Sequence, residues 1–188
     1  MEKKKTKSEN QNAKADAMQL RDLFTDGLKD IYYAENALLK ALPEMYEKAS
    51  DPKLKTAIKD HLLQTQQQVV RLEEVFASLE MKAEGKKCPA IEGILEEGRE
   101  TVANAAEGPV RDAAIISSSQ KVEHYEIASY GTLCAYAKVL NERPALDLLL
   151  RTLGEEKKSD CLLSSIADTN LNSQAAGGKH QSKDLNAV

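Results

Sequence analysis

Apolar residues recur along most of this chain at alternating steps of three and four positions, the spacing of an amphipathic α-helix. The pattern breaks where Pro, Gly or polar residues cluster, at 51–52, 82–89, 108–109 and 141–144. We therefore predict one short helix, the third, among four long ones. The predicted helices cover residues 17–49, 52–81, 89–105, 109–141 and 144–170.

The lengths of the connections between these helices indicate the topology. Short turns join the first helix to the second and the fourth to the fifth, so each pair should form an antiparallel hairpin. The second and fourth helices are joined by a long connection that contains the short helix and can run the length of a bundle. The predicted fold is all-α, a ferritin-like four-helix bundle with one long crossover that carries a short fifth helix.

Composition supports one helical domain. Charged residues make up 30% of the 188 residues and aromatic residues 4%, with only 9 Gly and 5 Pro. We predict a disordered polar arm over residues 1–15, the bundle over 16–170 and a disordered tail over 171–188. The net charge of −4 argues against a protein that binds nucleic acid by bulk charge, so we expect no nucleic-acid partner.

Cysteine usage and hydropathy predict the compartment. The three cysteines are widely spaced and form no C-x-x-C pair, which predicts neither a disulfide framework nor a zinc knuckle. No apolar stretch is long enough for a membrane span, and no apolar segment follows the basic N-terminal residues. We therefore expect a cytoplasmic protein without a membrane partner.

Polar residues interrupt the apolar stripe near the middle of each long helix. In the fourth helix the stripe runs through Ile116, Ser119, Glu123, Glu126, Tyr130 and Leu133, so both glutamates should face the core. The interruptions in the other stripes are Glu35 in the first helix, His61, Gln64 and Gln68 in the second, and Glu156 and Asp160 in the fifth. Since the middles of antiparallel helices lie at one level, these side chains should meet.

Carboxylates gathered in a core need compensation, because a buried charge without a partner costs several kcal/mol. No Lys or Arg falls on the stripes; Arg71, for example, lies beside its stripe. Divalent metal ions compensate most simply, and the mixture of carboxylate and imidazole favours Fe or Mn. The other interpretation is a solvated polar patch on bent helices, with His61 as a structural histidine.

Further polar side chains lie close to the predicted ligands in sequence. Tyr32, Tyr33, Tyr130 and His124 are candidates to hydrogen-bond to the ligands from outside. Packing in the core is the alternative for the tyrosines, and a surface position is the alternative for His124.

Four segments resemble the YciE/YciF family of ferritin-like bacterial stress proteins. They are LRDLFTDGLKDIYYAENALLKALPEM, HLLQTQQQVVRLEEVF, GPVRDAAIISSSQKVEHYEIASYGT and EEKKSDCLLSSIA. The resemblance covers residues 17–168, and it implies a ferritin-like bundle, a homodimer, a di-metal centre and a part in stress responses. At matching positions it carries over Glu35, His61, Glu123, Glu126, Glu156 and Asp160 as metal ligands.

The chain departs from the family pattern at Gln64, where the family has Glu. An amide is a weaker ligand than a carboxylate, so two ions per chain are expected if Gln64 serves as a ligand and one if it does not. The E-x-x-H pairs of ferritins are missing as well, so ferritin-like activity does not follow from the fold.

Two hypotheses follow. In the first, a di-metal centre bridged by Glu35 and Glu126 reacts with O2 or peroxide. The bridging pair comes from the similarity of DIYYAENA to KVEHYEIA, which aligns these two glutamates. In the second, the protein is a non-catalytic dimeric bundle with a structural or relict metal site.

Overall fold

The computed structural model describes residues 18–177, which contain helices and no β-strand. The first hairpin consists of α1 (Leu20–Lys48) and α2 (Pro52–Ser78). The crossover carries α3 (Pro89–Asn104), and the second hairpin consists of α4 (Pro109–Val139) and α5 (Arg143–Ile166). A π-helical turn (Ala167–Leu171) and the short helix α6 (Asn172–Ala175) follow α5.

Local sequence explains where the helices begin. The Asp51 side chain accepts hydrogen bonds from the backbone N–H groups of Lys53 and Leu54, which caps the start of α2. Proline stands in the first turn of α2, α3 and α4, where its fixed φ suits a helix and its missing N–H costs nothing. Gly108 has a φ of 90°, a conformation that favours glycine, and it turns the chain into α4.

The four long helices pack as a ring. Helix α1 lies against α2 and α4, and α5 lies against the same two helices on the other side. The crossover helix α3 packs on the outside, mainly against α4 and also against α1. The predicted ferritin-like bundle with one long crossover and a short extra helix is therefore confirmed.

The predicted stripes form the core. In α1 the stripe positions are all buried, and they are Phe24, Leu28, Ile31, Glu35, Leu38, Leu42 and Met45. In α4 the stripe is buried from Ile116 to Leu133; Ala137, one turn further on, is also buried, and Leu140 is partly exposed. Among residues 18–177, no helix combines the length and the apolar composition that a membrane span needs.

The C-terminal end differs from the prediction. A disordered tail was expected from residue 171, but Leu171 is buried and the helical backbone continues to Ala175. Both the π-helical turn and α6 lie against α4, so burial of an apolar side chain extends the bundle beyond residue 170. The predicted arm at residues 1–15 and the tail from residue 178 onwards lie outside the described residues.

Candidate metal centre

Four side chains from three helices meet in the middle of the bundle. They are His61 of α2, Glu123 and Glu126 of α4, and Glu156 of α5. One possible ligand atom from each lies within 4.8 Å of those of the other three, and all four residues are buried. The two glutamates of α4 are three positions apart, so they reach the same space from one helix face.

Several buried atoms in this cluster have no hydrogen-bond donor or acceptor within reach. Buried polar groups are nearly always paired, so each exception needs a reason. Around the cluster the unpaired atoms are Glu35 Oε2, His61 Nε2, Gln68 Oε1, Glu123 Oε2, both carboxyl oxygens of Glu126 and Glu156 Oε2. These oxygen and nitrogen atoms fit a first-row divalent ion, which accepts carboxylate and neutral imidazole ligands.

His61 is suited to ligation by its protonation state. Burial lowers the pKa of its imidazole to about 4, so the ring is neutral at pH 7. Its Nδ1 lies 3.2 Å from Ser159 Oγ, and its Nε2 lies 3.6 Å from Glu123 Oε1. If Nδ1 carries the proton and donates it to Ser159, the Nε2 lone pair faces the carboxylates and is free for a cation.

The carboxyl groups hold protons when no cation is present. Burial, followed by the neighbouring Glu156 carboxylate, raises the pKa of Glu123 to about 10 and the pKa values of Glu35 and Glu126 well above the usual range. Burial raises the pKa of Glu156 to about 7. Each group is therefore hard to ionise beside the others, and a divalent ion would relieve this penalty by displacing protons.

Glu35 lies behind the four-residue cluster. Its Oε1 accepts a hydrogen bond of 2.5 Å from the hydroxyl of Tyr130, which is fully buried. After burial and Glu156, the charge of Glu35 is the next cause that raises the pKa of Glu126, so the two carboxyl groups are near neighbours. Of the outer residues predicted from sequence, Tyr130 is thus the one that hydrogen-bonds to a predicted ligand in the buried layer.

Other predicted residues lie outside this layer. Asp160 is partly exposed, accepts a hydrogen bond from Gln120 and lies 3.4 Å from the exposed His124. Gln64 is partly buried, and its side-chain oxygen lies 3.5 Å from Ser159 Oγ. The hydroxyls of Tyr32 and Tyr33 donate to Glu73 and Glu92, so the expectation that they hydrogen-bond to the ligands is wrong. Both face outer carboxylates because their positions lie off the α1 stripe.

Sequence reasoning missed a cation beside the cluster. Arg71 is buried, donates to Thr152 Oγ1 at 2.5 Å and forms a bidentate pair with Glu155 at 2.8 and 3.1 Å. Gln68 donates to both Glu156 and Glu155. The positive charge of Arg71 lowers the pKa of Glu35 and Glu156, which burial raises. Gln68, Arg71 and Val75 are also separated by steps of three and four, so a stripe drawn through Arg71 instead of Leu72 fits the helical spacing as well. This alternative stripe is the feature of the sequence that could have identified Arg71 as buried.

Residues 19–176 match the model of a protein family described as a domain of unknown function, DUF892. Protein YciF of Escherichia coli (strain K12) is 43% identical over 157 residues, which cover 83% of this chain and 95% of YciF. The crystal structure of the E. coli stress protein YciF superposes with a TM-score of 0.79 at 42% identity, covering 83% of this chain and 99% of that one.

Two further solved structures are similar. YcfI from Rhodopseudomonas palustris has a TM-score of 0.78 at 44% identity and covers 80% of this chain and 96% of its own. A two-domain protein of Anabaena variabilis, with a DJ-1/ThiJ/PfpI-like and a ferritin-like domain, has a TM-score of 0.57 at 18% identity. It covers 92% of this chain and 42% of its own, and it supports the fold alone. The chain therefore belongs to the DUF892 family, and its resemblance to the YciE/YciF proteins is confirmed.

Proposed function

We propose that this protein is a ferritin-like stress-response protein that binds Fe or Mn in the middle of its bundle. The observation that carries the proposal is the set of unpaired, buried oxygen and nitrogen atoms that converge from His61, Glu123, Glu126 and Glu156. The part in a stress response rests on the likeness to YciF, which is named as a stress protein.

The ligands of a first ion would be His61 and the three clustered glutamates. A second ion would use Glu35 together with Glu126, because these two carboxyls already lie close to each other. Gln64 and Asp160 lie at the margin, so they contribute less to binding in this proposal. The protein would act in the cytoplasm, since all three cysteines are free thiols.

A bound redox metal would supply an electron donor for a small oxidant such as O2 or peroxide. The protein's own residues would prepare the site. Ser159 orients the imidazole of His61, and Tyr130 holds a proton against Glu35. Arg71 keeps positive charge near Glu156, which favours its ionised form. The packed helices bury all four ligands.

Metal content is the direct test. We expect one or two ions of Fe or Mn per chain in protein purified without an affinity tag or a chelator, measured by mass spectrometry of the metals. Glu126→Gln should lose them, because it removes a carboxylate that faces the cluster with both oxygens. Asp160→Asn should keep them.

The control is Glu96→Gln, the same substitution at an exposed glutamate of α3. Wild-type protein that holds no metal and takes up none on anaerobic addition of Fe(II) or Mn(II) would overturn the proposal. Equal loss of metal in Glu96→Gln and Glu126→Gln would remove the cluster as its location.

A second candidate function is that of a non-catalytic homodimeric bundle, and exposed apolar residues favour it. Leu63 and Val70 lie seven positions apart on α2, and they are 53% and 47% exposed. Residues seven positions apart lie on the same face of a helix, and in this proposal that face packs against a second chain. We expect light scattering to give twice the chain mass of 20.7 kDa. The double variant Leu63→Glu/Val70→Glu should be monomeric. If it remained a dimer, this face would be excluded as the dimer interface.

A further inference from the structure

A small cavity lies between all four long helices, on one side of the metal centre. Its volume is about 30 Å³, and its walls are mainly apolar side chains that include Leu42, Met45, Ile58 and Val122. His61 and Glu123 also line it. The cavity therefore ends at two of the proposed ligands.

The cavity offers few hydrogen bonds to a polar guest. Its two serines are engaged, since Ser119 Oγ lies 3.8 Å from Met45 Sδ and Ser159 Oγ lies 3.2 Å from His61 Nδ1. The unpaired atoms in its lining, His61 Nε2 and Glu123 Oε2, belong to the cluster. A molecule such as hydrogen peroxide would lose its hydrogen bonds to water on entry and regain few.

The cavity adjoins a larger cleft at the surface. This cleft has a volume of about 590 Å³ and lies between the start of α2 and the end of α5. Ala57 and Leu162 line both spaces, so these two side chains separate them, and we call this pair the neck. Leu162 is 49% exposed, which leaves its side chain room to move aside.

Size restricts what can occupy the inner cavity. A single water needs roughly 10–15 Å³ of such space, so this cavity holds about two atoms of that size. We propose that it admits a small apolar molecule of the size of dioxygen, through the neck at Ala57 and Leu162, to the side of the metal centre at His61 and Glu123. The role as an access route rests on the proposed function, whereas the binding of an apolar guest does not.

Xenon is a suitable probe, because it binds in small apolar cavities and needs no metal. We expect crystals of the full-length, metal-free protein, pressurised with xenon, to show one xenon atom in contact with Ile58 and Val122. Ala57→Leu should abolish this site by filling the neck and cavity, and Ala77→Leu, at an exposed position of the same helix, should retain it. Absence of xenon from the wild-type cavity would overturn the proposal.

A second pair of variants tests the neck without filling the core. Leu162→Ala should increase severalfold the rate at which dissolved O2 oxidises the bound Fe(II) to Fe(III). The increase should be smaller when hydrogen peroxide is the oxidant. Leu150→Ala is the control, because Leu150 lies on the same helix and is also 49% exposed. Equal effects of both variants, or of both oxidants, would overturn the access route. If the protein bound no Fe(II), the proposed function would fail, and the xenon experiment would still decide whether the cavity binds an apolar guest.

Discussion

Two sets of buried carboxyl groups on α4 have opposite surroundings. Asp112, near the start of the helix, is 2% exposed and accepts hydrogen bonds from the backbone N–H groups of Ser50 and Asp51 and from the Ser50 hydroxyl. Glu126, near the middle, is fully buried, and no N–H or O–H donor reaches either of its oxygens. A buried carboxyl group therefore has hydrogen-bond donors near the start of α4 and none near the middle of the helix.

The comparison separates a structural carboxylate from one that is suited to a ligand. Asp112 ties the turn between α1 and α2 to α4, and its donors come from backbone that is fixed by the fold. The central glutamates are buried beside one another, so without a cation folding must keep them protonated at a pH where the unfolded chain would ionise them, and this opposes folding. Substitution should therefore have opposite effects on stability at the two places.

The largest expected effect is at Asp112. Asp112→Asn should lower the free energy of unfolding by about 2–4 kcal/mol, because a buried amide cannot accept from all three donors. Glu126→Gln in metal-free protein should leave it unchanged or raise it, since it removes a carboxyl from a crowded site. Urea denaturation in the presence of a chelator measures both. A loss as large in Glu126→Gln as in Asp112→Asn would contradict the distinction.

The pH dependence of stability should come mainly from the central cluster. The folded-state pKa is about 7 for Glu156 and about 10 for Glu123, both above the ordinary value of 4.5. Above pH 4.5 the unfolded chain releases these protons while the folded protein keeps them, so the stability of metal-free protein should fall as the pH rises. The fall should run to about pH 7 for Glu156 and continue towards pH 10 for Glu123.

His61 acts in the opposite direction, but over a narrower range. Its folded-state pKa of about 4 lies below the ordinary 6.5, so it adds stability as the pH rises between these values. Four carboxyl groups with raised pKa values should outweigh this one histidine. Melting temperatures measured with a chelator from pH 5 to pH 8 test the sign, and Glu126→Gln should give a shallower slope. A melting temperature that rises through this range would be inconsistent with protonated glutamates.

A smaller effect is expected at the tyrosines. Tyr130→Phe should lower the free energy of unfolding by about 1–2 kcal/mol, because it removes the hydroxyl that donates to buried Glu35. Tyr33→Phe is the matched control and should cost less, since Glu92 is partly exposed and can bind water instead. Thermal denaturation of both variants gives the comparison, and equal losses would mean that Glu35 does not depend on Tyr130.

The stripe of three-and-four spacing was enough to predict that Glu35, Glu123, Glu126, Glu156 and His61 are buried together. The stripe also predicted that Asp160 is buried with them, and this is wrong. Position on a stripe does not show which neighbour a side chain will bind. In the structure Asp160 accepts from Gln120, a contact between α4 and α5 that depends on how the helices are rotated.

Arg71 shows a second limit of such patterns. Its long side chain reaches a buried position from beside the main stripe, and its guanidinium pairs with Glu155 across the α2–α5 interface.

The end of the bundle was also predicted wrongly. The stretch after residue 170 is mostly polar, and this hid Leu171, the one residue of 171–177 that is buried.

The division of the central side chains between two hairpins has a consequence for kinetics. His61 comes from the first hairpin and the three clustered glutamates from the second, so the complete set exists only after the hairpins have docked. An ion that requires all four would bind after the rate-limiting step of folding if docking occurs late. It would then prolong the lifetime of the folded protein by slowing unfolding, and leave the rate of folding nearly unchanged.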